Sequence, residues 1–331
     1  MPAIPPRQIV EAVLQAIEAS GSHGLLVSGV IGHPRQFRIL TEDGRITLWI
    51  YIWTITHGGR ANLPDEYRIQ MTTVVPPLRM NPTGPTLLLG WYPDLAVFAG
   101  FDISRHRTFR EGSNSVQVSL TALRAASNFS WGFYTNQFGE ISVAFRPAEF
   151  LNYLRNVEEL HRSGPRAVDL LIRVARLDAV DLEELENLPQ PRRRIVETIS
   201  RLSRAANFRD QVLSAYDHRC AVTGLQLRLV EAAHILPVVD ERSVDLVTNG
   251  LALSSTYHRA FDNGLIYLST DYQMRINQVQ INRLQPMNLI GGLDQMRQFM
   301  NREIFLPANP AQRPSIAFIR RANLFRHIAG H

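Results

Sequence analysis

The chain has 331 residues, 45% hydrophobic and 20% charged, with a net charge of +5. That length and composition point to a folded protein with more than one core, exclude a disordered polymer, and, with no run of about 18 apolar residues, exclude a membrane-spanning helix. All 35 basic residues are arginines, whose planar forks bind phosphates and guanine edges; the balance permits a nucleic-acid partner without requiring one.

The first segment, "MPAIPPRQIVEAVLQAIEASG", has no basic stretch followed by an apolar one, so no secretory signal is expected. Ile9, Val10, Val13, Leu14 and Ile17 recur at helical spacing over 7–19, and Ser20-Gly21 then stops the helix. From about 24 to 146 the pattern changes to short runs rich in β-branched and aromatic residues, such as "ITLWIYIWTIT", "YRIQMTTVV", "LAVFAGFDI" and "ISVAF", separated by Gly, Pro, Asn and Asp. These predict a mostly antiparallel sheet domain with flanking helices, spanning 1–165. Most of its aromatics, among them Trp53, Trp91, Phe98 and Trp131, are expected in the core, and a minority could stack on a base.

Residues 147–162 and 166–187 read as helical, "LPQPRRR" at 188–194 as a break, and the following stretch to Tyr216 as helix again. This defines an expected helical linker at 166–206, in which Arg192, Arg193 and Arg194 are candidate phosphate contacts. The only cysteine, Cys220, cannot form an internal disulfide or a zinc ribbon. It sits in the apolar run "HRCAVTG", is expected to be buried, and fits a reducing compartment such as the cytoplasm.

The last third, 207–331, holds the motif "EAAHILPVVDERSVDLVTNGLALSSTYHRAFDNG" at Glu231–Gly264. Its order reads strand, loop, strand, then a helix from about Ser255 to Asp262. His258 and Asp262 are four apart, which puts an imidazole and a carboxylate on one helix face. Such a pair suits one divalent cation. His234 stands at the end of the facing strand, and a neutral imidazole near pH 7 is suited to take a proton from water. Asn249-Gly250 reads as a turn whose amide can fix the loop.

The words "CAVTG", "EAAHILP" and "NGLALSSTYHRAFDNGLI" resemble the HNH nucleases, and within them bacterial predicted restriction endonucleases with a C-terminal HNH domain. The resemblance covers roughly 207–277. It implies a ββα-metal fold, with His234 as the general base, Asn249 as the central asparagine, and His258 and Asp262 as metal ligands. It also implies one Mg²⁺ or Mn²⁺ per chain and double-stranded DNA as substrate. Many members carry Asp or His before the first histidine, where this chain has Ala233; Glu231, two residues earlier on the strand, is the candidate replacement ligand. The expected architecture is α+β: a β-rich recognition domain, a helical linker and a nuclease domain. The expected function is a restriction-type endonuclease acting on a modified cytosine or on plain sequence, working as a homodimer because one site cuts one strand. A non-catalytic DNA-binding protein with a decayed HNH fold is the alternative.

Overall fold

A computed structural model of the chain describes residues 4–41, 44–60, 62–109 and 114–328. The chain forms two compact units, Met1–Ser203 and Arg204–His331. Among the described residues no helix is long and apolar enough to cross a membrane.

The N-terminal unit opens with α1 (Pro6–Ala19), which has proline in its first turn and stops at Ser20, followed by Gly21 at φ 81°. In chain order there follow β1 (His23–Leu26), β2 (Arg35–Thr41), β3 (Gly44–Thr54), β4 (Thr56–His57), β5 (Glu66–Gln70), β6 (Thr86–Tyr92), β7 (Val97–Phe101), α2 (Ile103–His106), β8 (Ser115–Ser119), α3 (Leu120–Phe129), β9 (Trp131–Thr135), β10 (Ile141–Phe145), α4 (Phe150–Arg162), α5 (Pro165–Ala175) and α6 (Leu182–Glu186). Seven strands make one sheet in the order β1-β2-β3-β6-β7-β10-β9, and β4-β5-β8 make a second. All pairs are antiparallel except β3 with β6. The chain between β3 and β6 builds β4 and β5, and that long excursion is what allows a parallel return.

Alternation along each strand fills two cores, one on each face of the large sheet. Leu48, Ile50, Ile52, Leu87, Leu89 and Phe98 pack with Val13 and Ile17 of α1 and with Phe150, Leu160 and Leu171 of α4 and α5. Tyr51, Trp53, Leu88 and Phe101 face the other way, against Val116 and Val118 of β8 and Leu123 of α3. The sheet is therefore covered on both sides, and its central strands are correspondingly apolar.

Three sequence expectations change. The helix α3 was not anticipated; Ser119 caps it by accepting from the Ala122 N–H at 3.0 Å. The break at 188–194 is shorter than expected, because α7 (Gln190–Ala215) already contains Pro191 in its first turn, where proline is tolerated. The segment 166–206 is not a free linker. Val168, Leu171, Val174, Ile195, Val196 and Ile199 are buried in the N-terminal core, and the division between units falls within α7.

The C-terminal unit continues with β11 (Val230–His234), β12 (Gly250–Ser254), α8 (Ser255–Asp262), β13 (Ile266–Leu268), β14 (Gln273–Ile276), α9 (Gln278–Leu284), α10 (Leu293–Arg297), β15 (Arg302–Glu303) and α11 (Ile316–Phe325). Its core gathers Phe208, Val212, Cys220, Ala233, Ile235, Leu251, Leu253, Phe261 and Ile319. Cys220 is buried, as its apolar context predicts.

The covered sheet has several tight points, Gly100 among them. A Cβ on Gly100 of β7 would meet the buried Tyr153 hydroxyl at 2.0 Å and its ring at 2.1 Å. Gly100→Ala should destabilise the N-terminal unit by about 1–3 kcal/mol, the usual cost of overpacking. All four tryptophans (Trp49, Trp53, Trp91, Trp131) lie in this unit, so tryptophan fluorescence during urea unfolding measures the loss directly. An unchanged midpoint would show that the contact relaxes without cost.

Candidate active site

β11 and β12 pair antiparallel, Val230 opposite Ser254 and His234 opposite Gly250. α8 follows β12 at once, with Ser254 in the extended conformation of an N-cap. Gly250 is required here: a Cβ would meet Val212 Cγ2 of α7 at 2.2 Å. That close approach lets α7 press Phe208 flat against His234, the rings 3.9 Å apart and 11° from parallel.

His234 is held a second time. Its Nε2 lies 2.9 Å from Oδ1 of Asp245. An ionised carboxylate only accepts, so Nε2 must carry the proton and Nδ1 keeps its lone pair. The ring is thus fixed in orientation by Phe208 and in tautomer by Asp245, with Nδ1 as the basic atom.

Asn249 is fully buried. Its Oδ1 accepts from the Leu236 N–H at 2.9 Å, and its Nδ2 donates to the Val244 carbonyl at 3.1 Å and to Ser243 Oγ at 3.2 Å. Every one of these partners lies on the 235–248 loop, so Asn249 is a positioning residue that pins the loop carrying Asp245. These contacts match the loop-fixing role the sequence suggests for its amide. Asp240 ties the same loop to α11 through both carboxylate oxygens, each 3.0 Å from Arg321 Nε.

On α8, His258 stands between two carboxylates. Nδ1 is 2.7 Å from Glu231 Oε2, and Nε2 is 3.3 Å from Asp262 Oδ2. Glu231 also accepts from Ser255 Oγ at 2.6 Å. Partial burial pushes the Glu231 carboxyl up, but the Ser255 and His258 bonds outweigh it and hold the group below the ordinary glutamate range. Ala233 is wholly buried in the core. A carboxylate there would be stranded among apolar side chains, so this position offers no metal ligand in this chain.

Arg326, just beyond α11, links the two halves of the arrangement. Its Nη1 donates to the Ile235 carbonyl at 2.8 Å, next to His234, and its guanidinium lies 4.4 Å over the Phe261 ring, next to Asp262. Burial pulls its pKa down to about 10, with Asp262 acting in the opposite direction, so it remains a cation at neutral pH.

Two family models match this chain: HNH endonuclease over residues 220–269 and Methylase-associated X1 over residues 46–154. The C-terminal unit carries an HNH endonuclease domain, and the protein is a nuclease. No curated protein matches the chain. Among solved structures, a modification dependent TagI restriction endonuclease is 14% identical, with 98% of this chain and 90% of that chain covered and a TM-score of 0.29.

HNH nucleases use a divalent metal, and the donors present fit one of modest protein coordination. Two ligands about 2.1 Å from an ion and at right angles to each other are about 3.0 Å apart, close to the observed 3.3 Å between His258 Nε2 and Asp262 Oδ2. The expected three-residue set is not assembled. Glu231 occupies the opposite nitrogen of the same ring, and among the described residues no three His, Cys, Asp or Glu side chains converge on one point. Glu231 instead forms the carboxylate–histidine contact that typically orients a metal-binding imidazole.

The remaining expected residues lie elsewhere. Arg192, Arg193 and Arg194 belong to the N-terminal unit. Arg193 pairs with Glu197 at 2.8 Å, and Arg192 lines a surface cleft with Glu158 and Glu159; none is part of the HNH domain. Asp245, Phe208 and Arg326 were missed by the sequence reading. Asp245 is one of three acids in "DERSVD" and its neighbours offer no periodicity to single it out, and the other two reach the site from outside the motif.

If Asp245 fixes the tautomer, asparagine should be worse than alanine at this position. An Asn amide can donate to Nε2 and so trap the proton on Nδ1, the atom that must accept. Asp245→Asn should lower DNA cleavage by about 10²–10⁴-fold with an unchanged melting temperature, and Asp245→Ala by less. Equal activities for the two variants would contradict tautomer control.

Proposed function

We propose that this nuclease is a restriction-type DNA endonuclease in which the HNH domain hydrolyses phosphodiester bonds and the N-terminal unit chooses the target. The observation that carries the reading is the clamped His234, with Nε2 on Asp245 and Nδ1 free to accept. The match of residues 46–154 to the Methylase-associated X1 family supports a place beside a DNA methylase, where restriction enzymes act. A cytosine carrying a methyl or hydroxymethyl group is the first target to test, with unmodified sequence as the comparison. The reducing bacterial cytoplasm suits both the substrate and the lone buried thiol.

In this reading His234 Nδ1 takes a proton from a water molecule as that water forms a bond to phosphorus. The bond from phosphorus to the 3′ oxygen breaks, leaving a 5′ phosphate and, after protonation from solvent, a 3′ hydroxyl. Asp245 stabilises the imidazolium that forms. One Mg²⁺ or Mn²⁺, held by His258 and Asp262 when bound, would neutralise charge on the phosphate and the leaving oxygen. Glu231 keeps the His258 ring turned so that Nε2 faces Asp262, and Arg326 holds the strand end and the helix end in register.

One such domain attacks one strand, so a double-strand break needs two copies, and a homodimer in solution or on DNA supplies them. His234→Ala should abolish cleavage of target DNA while leaving DNA binding intact; retention of more than about a tenth of the wild-type rate would contradict a general-base role. In mixtures with excess His234→Ala protein, paired chains should convert supercoiled plasmid to nicked circles with little linear product. Linear product that falls only with dilution of the wild type, with no rise in nicked circles, would mean that one chain cuts both strands.

A further inference from the structure

On the N-terminal unit a cleft of about 500 Å³ opens between the start of α1, the β1–β2 connection, β3 and the end of β5. Its wall holds two stacked rings, His33 and Trp53, and a third ring, Tyr51, continues the series behind the lining. His33 lies on Trp53 with centroids 4.2 Å apart and planes 24° from parallel, and Tyr51 follows Trp53 at 6.3 Å and 16°. His33 is half-buried while Trp53 and Tyr51 are buried, so His33 is the most accessible ring of the series.

Arg35 sits in the same wall and is only 4% exposed. Its Nε donates to the Val30 carbonyl at 3.1 Å and its Nη1 to the Ile52 carbonyl at 3.1 Å. Among the described residues no carboxylate lines the cleft; the other polar groups are His33, Gln70 and threonines. Arg35 Nη1 also lies 3.5 Å from His33 Nδ1, and a nearly buried guanidinium with only neutral partners favours a ligand with carbonyl or phosphate oxygens. Burial and then the Arg35 charge lower the His33 pKa to about 3, so this ring is neutral at physiological pH and is able to hydrogen-bond as well as stack.

The rims of the cleft are apolar and open. Ile31, in the β1–β2 connection, is 85% exposed and lines the cleft, and Val75, two residues past the lining Thr73, is 84% exposed. Large aliphatic side chains held this far into solvent are suited to wedge between base pairs.

We propose that this cleft receives a single nucleobase swung out of the DNA duplex, placed against the His33–Trp53 rings, with Ile31 filling the space the base leaves. This rests on the reading that the N-terminal unit chooses the target. The volume lies within the range of ligand pockets, about 300–1,000 Å³; the stacked rings match a planar ligand, and Gln70 and the threonines offer both donors and acceptors to its edge. Extrusion exposes the whole base edge, which is where a 5-methyl or 5-hydroxymethyl group on cytosine would be read.

The test uses the full chain carrying His234→Ala, so that binding is measured without cutting. Random duplex libraries made with cytosine, 5-methylcytosine or 5-hydroxymethylcytosine are bound and the retained DNA is sequenced. 2-Aminopurine is then placed at each position of the selected duplex. Fluorescence should rise on binding at or beside one position only, and Ile31→Ser should remove the rise. His33→Ala should weaken binding of the selected duplex about tenfold or more, as loss of a base-stacking ring does, with binding of unselected DNA unchanged. Ile31 is so exposed that its substitution leaves the fold alone, which keeps the test open even if His33→Ala perturbs β2. Enrichment with no brightened position, or with both variants binding as the parent does, would overturn the pocket and leave target choice by this unit standing. Failure of every library to enrich would overturn target choice by the N-terminal unit, and the pocket with it.

Discussion

Each of the two histidines given a role in the proposed reaction has one ring nitrogen against a carboxylate, and that reaction depends on which nitrogen remains. Asp245 takes Nε2 of His234 and leaves Nδ1 basic; Glu231 takes Nδ1 of His258 and leaves Nε2 facing Asp262. Imidazole carries out proton transfer and metal ligation with the same lone pair. The proposed reaction needs both jobs done side by side by rings that do not exchange roles. Here the assignment is made by hydrogen bonds outside the motif's named residues, and the rest of the domain keeps those two carboxylates in place. Asn249 and Arg321 fix the loop of Asp245, Ser255 fixes Glu231, and Gly250 lets α7 bring Phe208 onto His234.

Local periodicity made part of this legible in the sequence. The α1 stripe and the helix 255–262 are read from spacing, and the His258–Asp262 pair from its interval of four. The general-base role proposed for His234 came from the family resemblance, and the structure adds the Asp245 contact that would set its tautomer. Three things were out of reach for physical reasons. Asp245 lies in an irregular loop whose path is set by a buried asparagine. The sequence put Glu231 on the strand face of Ala233, yet its contact with Nδ1 of His258 depends on the distance between strand and helix. Arg326 arrives from the far end of the unit. The supposed linker misled because its arginines mask a buried stripe of Val168, Leu171, Ile195 and Ile199 that completes the N-terminal core.

The N-terminal unit imposes a different constraint. Its large sheet is covered by helices on one face and by β8 and α3 on the other, so neither sheet face is free to meet DNA. In the proposed reading, recognition by this unit falls to strand ends and connections, and the β1–β2 connection, with an exposed isoleucine beside stacked rings and a buried arginine, has the chemistry for it.

The account stands or falls on the division of labour between the two histidines. Calorimetric titration of the DNA-free protein with Mn²⁺ tests it without reference to cleavage. One ion per chain should bind; His258→Ala and Asp262→Ala should lose it, whereas His234→Ala and Asp245→Ala should bind it as the wild type does. Glu231→Gln should retain the single ion with affinity about 10–100-fold weaker, as expected when the carboxylate behind a metal-bound imidazole is removed. Loss of the ion in His234→Ala, or its full retention in His258→Ala, would show that the roles assigned to the two rings are wrong.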